Sequence, residues 1–507
     1  MIILKEFRSY YMYLRSIMPI PTTVQAFENV KIPVFSRRGL FRIGGIAAVE
    51  LLSHSANLLG QGEPKQKLRR VIVVGAGFSG LACAYELNSA GYEVTVFDSR
   101  NRVGGRVSSL TNLIPGKVVE AGGELLGSNH PHVVAYATRF GFDFLDVVDD
   151  EAPSPTILEG KLTLRTRQNA ERNEVRGAYR QMTEDARSID AVQPWLSPQA
   201  EQLDRISTAE WLERLKLSEF AHQLLTLRFT SSNGVATSRQ SYLGNLAQVK
   251  GGGLEKYWTD SEVFRLKGGN QQFALRFARE LGDDRLKLNC PITEILATDR
   301  GVRVVDFAGR KHEADDLVLA IPPSTWSTIR FDPALPKELV VQMGANVKYL
   351  AVVKSPVWRE SHRSPDGHTD GMIGSTWHGT SGQPGEGPEA LIAFSGGPAA
   401  DAIHRLPIAE RESAYLTAYE ALYPGFRAQF LKGISADWIG EPWTRAGYSF
   451  PAPGEIMTVG PQLRSGIGRL HFAGEHTCYP FIGYMEGALN SGASLAKRLA
   501  VRDGLTP

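Results

Sequence analysis

The stretch that most constrains the fold runs from Arg70 to Asp98. Val71-Ile72-Val73-Val74 is a short continuous apolar run, the pattern of a strand buried on both faces. Gly75-Ala76-Gly77-Phe78-Ser79-Gly80 follows, then a helical run over 81–90 closed by Gly91, then a second strand over 93–97 that ends at Asp98. This is the opening of a βαβ unit. Gly75 makes the tight turn, Gly77 lets backbone approach a pyrophosphate, and Gly80 lets the helix pack closely on the sheet. The helix start at Phe78 and Ser79 offers free N–H groups and partial positive charge to phosphates. Asp98 stands where an acid accepts ribose hydroxyls. The spacing predicts a nucleotide-binding α/β domain.

A chain of 507 residues is too long for one ordinary core, so two domains or more are expected. With 22% charged residues and a formal net charge of +2, nothing in the composition recruits nucleic acid or an anionic membrane. No apolar run is long enough to span a bilayer. Cys83, Cys290 and Cys478 are widely spaced and odd in number; each reads as a small buried hydrophobe, not as part of a disulfide framework or zinc site. His130-Pro131-His132 reads as a helix start explained by capping, and no metal site is expected there. Ser36-Arg37-Arg38-Gly39-Leu40-Phe41-Arg42 resembles a twin-arginine export signal, which a receptor reads and which predicts a periplasmic or exported protein, the alternative being a cytoplasmic one. Residues 1–66 are set aside from the fold as an export-signal-like segment.

Beyond the βαβ unit, a helix is expected from Pro131 to Phe140, stopped at Gly141. The region 168–230 is helical and polar, with a capping box at Ser207-Thr208-Ala209-Glu210. A helix follows Gly268-Gly269-Asn270, and short strands are expected over 286–289, 302–307, 317–320, 349–353, 372–377 and 391–395. The Gly/Pro-rich stretch 379–388 is a surface loop, 408–422 is a helix, and 468–500 is strand, loop and helix. Residues 67–140, 265–335 and 455–507 are assigned to a nucleotide-binding domain, and 141–264 and 336–454 to an inserted substrate-binding domain.

The next motif separates flavin from nicotinamide. Asp98-Ser99-Arg100 leads into Arg102-Val103-Gly104-Gly105-Arg106, which resembles the RxGGR segment of glutathione-reductase-like FAD folds, above all the flavin amine oxidase family. A second glycine doublet lets chain approach a diphosphate, and Arg106 can neutralise it. Glu120-Ala121-Gly122-Gly123-Glu124 looks like the family segment beneath the flavin, and Phe472-Ala473-Gly474-Glu475-His476-Thr477 looks like the FAGExT motif whose backbone and acid contact the ribityl-phosphate part. Gly483-Tyr484-Met485-Glu486-Gly487-Ala488 looks like the start of the final helix beside the isoalloxazine, and Pro291-Ile292 matches the position whose backbone meets adenine. The resemblance covers 70–500. It implies a glutathione-reductase-like, Rossmann-type α/β FAD domain with an inserted α+β substrate domain on a mixed or antiparallel sheet. Asp98 departs from the glutamate usual in the family.

Lys348 lies in the strand-like "NVKYLAVVK", on one face with Leu350 and Val352. Taken alone it is a lysine snorkelling from a strand end. The resemblance instead implies the lysine that holds a water at flavin N5. A buried cation there would favour electron transfer to dioxygen and could carry a proton; Lys354, beyond the apolar run, is expected in solvent. The resemblance further implies two aromatic rings before the flavin, Tyr484 and Tyr448. Gly447 stands where some members bind flavin through cysteine, which implies noncovalent FAD. The expected activity is oxidation of an amine by hydride transfer to flavin, with release of an imine that hydrolyses and reduction of O2 to hydrogen peroxide. The alternatives are an L-amino acid oxidase, a C–C desaturase or porphyrinogen-type oxidase, and a flavoprotein without turnover. Glu124, if it faces the pocket, would repel a substrate carboxylate. The 168–230 helices and the 379–388 loop are expected to shape the pocket entrance, and a homodimer is left open.

Overall fold

The computed structural model describes residues 68–147, 152–165 and 171–505. The twin-arginine-like segment lies outside the described residues. From Arg69 onward the chain forms one compact unit.

The apolar run becomes the strand Arg70–Val74, at the centre of a five-stranded parallel sheet. On one side lie Glu93–Phe97 and Leu286–Lys287; on the other lie Asp316–Leu319 and Leu470–Phe472. Its first crossover is the helix Phe78–Ser89, which ends in a turn at Gly91 with φ +90°. The chain runs to Glu93–Phe97 on one side and later arrives on the other, so the order reverses at the carboxyl end of Arg70–Val74. Open α/β sheets bind ligands at such a switch point. The last helix, Met485–Arg502, lies against Phe78–Ser89 so closely that a β-carbon on Gly492 would stand 2.1 Å from the Ser79 carbonyl oxygen.

A second, seven-stranded sheet carries Asn346–Val353 between Phe430–Asp437 and Glu389–Gly396. All eight residues of that strand are buried, Lys348 included, and Lys354 just beyond it is exposed. The pairing is antiparallel except where His368–Thr369 runs parallel to Ser154–Leu158, so the sheet is mixed, as expected. The expected strand over 372–377 begins later, at Ser375–His378. The helix Pro131–Phe140, its left-handed stop at Gly141 (φ 71°) and the Ser207 capping box occur as the sequence indicates. Sequence reasoning missed the hairpins Ser109–Ile114/Lys117–Glu120 and Ser154–Leu158/Lys161–Arg165, and the helix Glu455–Ser465, which tolerates Pro461 in its interior. The three cysteines are buried thiols.

Candidate active site

At the carboxyl ends of the parallel strands a cavity encloses about 1570 Å³, part of it open to solvent. Its floor is bare backbone. Gly75 has φ +115°, and a β-carbon there would lie 2.5 Å from the Ala320 carbonyl oxygen; Gly80, expected to bind cofactor, does not line the cavity, and a β-carbon on it would lie 1.9 Å from the Gly75 carbonyl oxygen, so its role is close packing of the helix. Gly77 bridges to Gly104, and a β-carbon on Gly105 would stand 3.2 Å from the Gly77 α-carbon. The two glycine motifs, apart in sequence, thus form one cradle that a side chain would fill. Phe78, Ser79, Ser99, Arg100, Gly122, Gly123, Ile292, Gly474, Gly483 and Met485 also lie on the wall. Two buried polar side chains of the wall have no hydrogen-bond partner in the protein: the Ser79 hydroxyl at the helix start and the His476 ring, at both nitrogens. Buried polar groups are rarely left unpaired, so the wall is built for a polar ligand. A helix N-terminus over glycine backbone, with an acid at the second strand end, fits the diphosphate and ribose of a dinucleotide.

Asp98, at that strand end, accepts N–H bonds from Ala76 (2.7 Å) and Arg100 (2.8 Å). Burial pushes its carboxyl upward. The Arg100 side chain reaches Glu441 and the Thr444 hydroxyl. Arg106 donates to the Gly447 carbonyl (2.7 Å) and to Glu475 (2.9 Å). Glu475 also accepts from the Ser449 N–H (3.2 Å), the Ser449 hydroxyl (2.7 Å) and the Gly483 N–H (2.8 Å). Burial would raise this carboxyl, but Arg106 leads the interactions that hold it below the ordinary range. These contacts of Glu475 therefore fasten three motifs to one another.

Lys348 reaches the wall from the second sheet. Its Nζ donates to the carbonyls of Glu120 (2.8 Å) and Gly122 (3.1 Å) and to the Glu124 carboxylate (2.7 Å). Glu124 does not line the cavity, although Gly123 and Leu125 on either side of it do. It is wholly buried and bonded to Arg265 and to the Trp377 indole as well. The expectation that Glu124 would repel a substrate carboxylate is thus corrected: its charge is turned toward two cations.

Tyr448 and Tyr484 share the wall with Lys348. The Tyr448 hydroxyl donates to the Ser232 carbonyl at 2.6 Å, and its ring edge lies against Gly483. Tyr484 packs edge-on against His130, with centroids 5.5 Å apart, and its hydroxyl is 3.5 Å from that of Tyr257. Burial raises both phenols, so they stay neutral. His130 accepts the Gly127 N–H on Nδ1 at 2.9 Å, and burial pushes its imidazole down to about 3. The cap of the helix Pro131–Phe140 comes from elsewhere than the sequence suggests. The Glu486 carboxylate accepts the N–H groups of His132 and Val133 and pairs with the His132 ring.

A family profile described as "Flavin containing amine oxidoreductase" matches residues 78–500. The chain belongs to this family. The oxidase is 29% identical to human "Amine oxidase [flavin-containing] B" over 464 residues, 86% of this chain and 87% of the relative. Among solved structures it superposes with TM-score 0.78 on cyclohexylamine oxidase from Brevibacterium oxydans IH-35A and 0.77 on a putrescine oxidase "wild type bound to Putrescine". Both are 27% identical and are covered to 99%, over 86% of this chain. A second profile, "Pyridine nucleotide-disulphide oxidoreductase", matches residues 40–114, over the βαβ unit.

In the oxidase, the cradle and its unpartnered polar atoms would hold the flavin cofactor. Sequence reasoning missed His476, Asn346, Arg265 and Trp377. His476 carried a signal, as a titratable residue inside a glycine-rich motif. Arg265 sits in the three-residue strand Phe264–Leu266 and carried none. Among the described residues, the cavity wall takes nothing from the 168–230 helices or the 379–388 loop expected at its entrance.

Proposed function

We propose that the oxidase acts on a small primary or secondary amine held between Tyr448 and Tyr484, with noncovalently bound FAD. The observation that carries this reading is that both tyrosines and Lys348 line the same cavity as the glycine cradle. Flavin held there would supply the redox chemistry: acceptance of a hydride from the carbon that bears the amine and two-electron reduction of O2 to hydrogen peroxide, with the imine hydrolysed to a carbonyl compound. The two rings give apolar faces that hold a neutral amine and exclude water, and they would attract the cation of a charged one. Lys348 sets a positive charge on the same wall. Glu475, through Arg106, Ser449 and Gly483, holds the segments that carry the two tyrosines in register.

The closest alternative is an L-amino acid oxidase, which needs a cation for the substrate carboxylate. The arginines on the wall, Arg100 and Arg106, belong to the loop on the phosphate side and are already paired with Glu441 and Glu475. That favours amines. Noncovalent binding is supported by Gly447, which offers no thiol. The assignment of 67–140, 265–335 and 455–507 to FAD and of the rest to substrate is part of the same proposal. The test uses purified protein: yellow colour, bleaching by amines but not L-amino acids without oxygen, and peroxide once oxygen is admitted. A colourless protein that binds no FAD, or one bleached only by amino acids, overturns the reading. Export is proposed separately on Ser36-Arg37-Arg38-Gly39-Leu40-Phe41-Arg42; a reporter fusion that stays cytoplasmic when Arg37 and Arg38 become lysine supports it, and one exported regardless refutes it.

A further inference from the structure

The cavity meets solvent at two residues of its wall, Thr328 and Trp443; every other residue of the wall is buried or half-buried. Thr328 ends the short helix Pro323–Thr328, and Trp443 belongs to a run of turns over 440–446. That run is anchored at both ends. Before it, Trp438 is buried and its indole donates to the Ala121 carbonyl at 3.1 Å. After it, the Gly447 N–H donates to the Gly344 carbonyl at 2.7 Å, and the Gly447 carbonyl accepts from Arg106 at 2.7 Å. Between the anchors Pro442, Trp443 and Arg445 are exposed. Arg445 has φ 53°, a left-handed conformation that residues with a β-carbon seldom adopt. Inside the run, the N–H groups of Thr444 and Arg445 both go to the Glu441 carbonyl, at 3.0 and 2.8 Å.

Two ties hold the middle of the run. The Arg100 guanidinium donates to the Glu441 carboxylate and, at 2.6 Å, to the Thr444 hydroxyl. The Ser324 hydroxyl donates to the Thr444 carbonyl. The first tie comes from the loop after Asp98, beside the glycine cradle; the second comes from the helix that ends at Thr328. Both margins of the mouth are therefore fastened to Thr444. The ties are modest in strength. The Arg100 and Glu441 side chains are 12% and 28% exposed, so solvent weakens their pairing. Neither Glu441 nor Ser324 lines the cavity.

We infer that residues 440–446 form a strap that gates the cofactor chamber, kept shut by the Arg100–Glu441 pair and the Ser324–Thr444 bond. The inference rests on the reading of a noncovalent dinucleotide in the cradle. A group that is not bonded to the protein must pass the mouth each time it enters or leaves. Because Glu441 and Ser324 do not line the chamber, loosening them lowers the barrier in both directions and spares the contacts of the bound group. A gate changes uptake and release together and leaves affinity alone; a binding contact changes release and affinity.

Glu441→Gln and Ser324→Ala each remove one tie. FAD uptake by protein stripped of flavin, and FAD release from the yellow protein, should both quicken about three- to tenfold in each variant, with Kd changed by less than about threefold. Ser324→Ala leaves Arg100 paired, so its effect cannot come from a new Arg100 contact with a phosphate. Added salt, which screens the Arg100–Glu441 pair, should speed release from the wild type and from Ser324→Ala more than from Glu441→Gln. Faster release with unchanged uptake overturns the gate, and so do unchanged rates in both variants. The strap is also read without flavin. In stripped protein, amide hydrogen exchange at Thr444 and Arg445 should quicken in both variants while the strand Arg70–Val74 stays protected. Equal exchange in wild type and variants refutes the gate. A protein that takes up no FAD refutes the flavin reading, and the exchange result then decides by itself whether these ties hold the strap.

Discussion

Gly447 packs directly against Asn346: a β-carbon on Gly447 would stand 1.7 Å from the Asn346 carboxamide oxygen. The space a side chain would need at Gly447 is here taken up by Asn346. Gly447→Cys should therefore bind flavin that acid precipitation still releases, and should lose about 1–3 kcal/mol of stability to overpacking. Gly447→Cys/Asn346→Gly should regain most of that stability. Flavin that stays in the acid pellet of the single variant would show that Asn346 yields easily.

Glu475 is the hub that joins Arg106, Ser449 and Gly483. Removing it takes the counter-ion from the part-buried Arg106 guanidinium and leaves the Ser449 and Gly483 donors without this acceptor. Glu475→Ala should cost about 3–5 kcal/mol in urea unfolding and strip flavin from the protein. Glu475→Gln, which keeps an acceptor in place, should cost clearly less. Equal losses in the two variants would mean that the carboxylate charge, not its geometry, holds the segments together.

The Glu120 and Glu455 carboxyls should make stability decline from mildly acidic to mildly alkaline pH, offset in part below about 6.5 by His130 and His476, which burial holds at about 3 and about 4 and which therefore favour the fold as pH rises. Burial first, and neighbouring acids after it, push the Glu120 and Glu455 carboxyls from 4.5 up to about 7. Between those values the folded chain holds protons that the unfolded chain releases, so stability falls as pH rises through the window. Each group contributes at most about 3 kcal/mol. The depressed acids act in the opposite sense and lower down; Glu389, held at about 2 against burial by His378, Lys117 and Thr380, weakens the fold only as pH falls toward that value. The Tm of the flavin-free protein should be lower at about pH 8 than at about pH 5.5, and Glu120→Gln/Glu455→Gln should flatten the difference. A Glu120→Gln/Glu455→Gln variant whose Tm changes with pH as the wild type's does would contradict the assignment.

Tyr484→Ala should lower kcat/KM for small amines roughly 10- to 100-fold, about 1.4–2.7 kcal/mol of transition-state stabilisation, while the protein stays yellow. Tyr484→Phe should retain most activity, because among the described residues the Tyr484 hydroxyl reaches only Tyr257, at 3.5 Å. If Tyr484→Ala loses flavin and keeps its amine kinetics once flavin is restored, the ring is structural.

What the sequence disclosed was what local chemistry encodes. The tight turn at Gly75, the helix start at Phe78 and the acid at Asp98 lie within one supersecondary unit, and each follows from a steric or electrostatic demand met by its immediate neighbours. The burial of Lys348 was legible only by way of motifs elsewhere in the chain, since a lysine at a strand end is ordinarily solvated. The direction of Glu124 was not legible at all. Its partners Arg265 and Lys348 stand 141 and 224 residues away, and no periodicity links them. The short hairpins escaped because strands such as Lys161–Arg165 are only five residues long and leave even their alternating Leu162 and Leu164 exposed. The 168–230 helices were recognised as helices, but they spend their apolar faces on a core of their own around Tyr179, Met182 and Trp211.

The Glu486 cap on Pro131–Phe140 spans 354 residues of sequence. The same final stretch supplies the edge strand Leu470–Phe472 and the helix that seats Gly492 on Ser79. During synthesis, the ribosome delivers the glycine cradle well before the pieces that close it. A nascent chain therefore holds half a binding site, with apolar surface uncovered, until residues 470–502 have been made. The site matures as a late, chain-length-dependent event, and deletion of the last helix should leave a protein that accumulates with chaperones instead of a weakened enzyme.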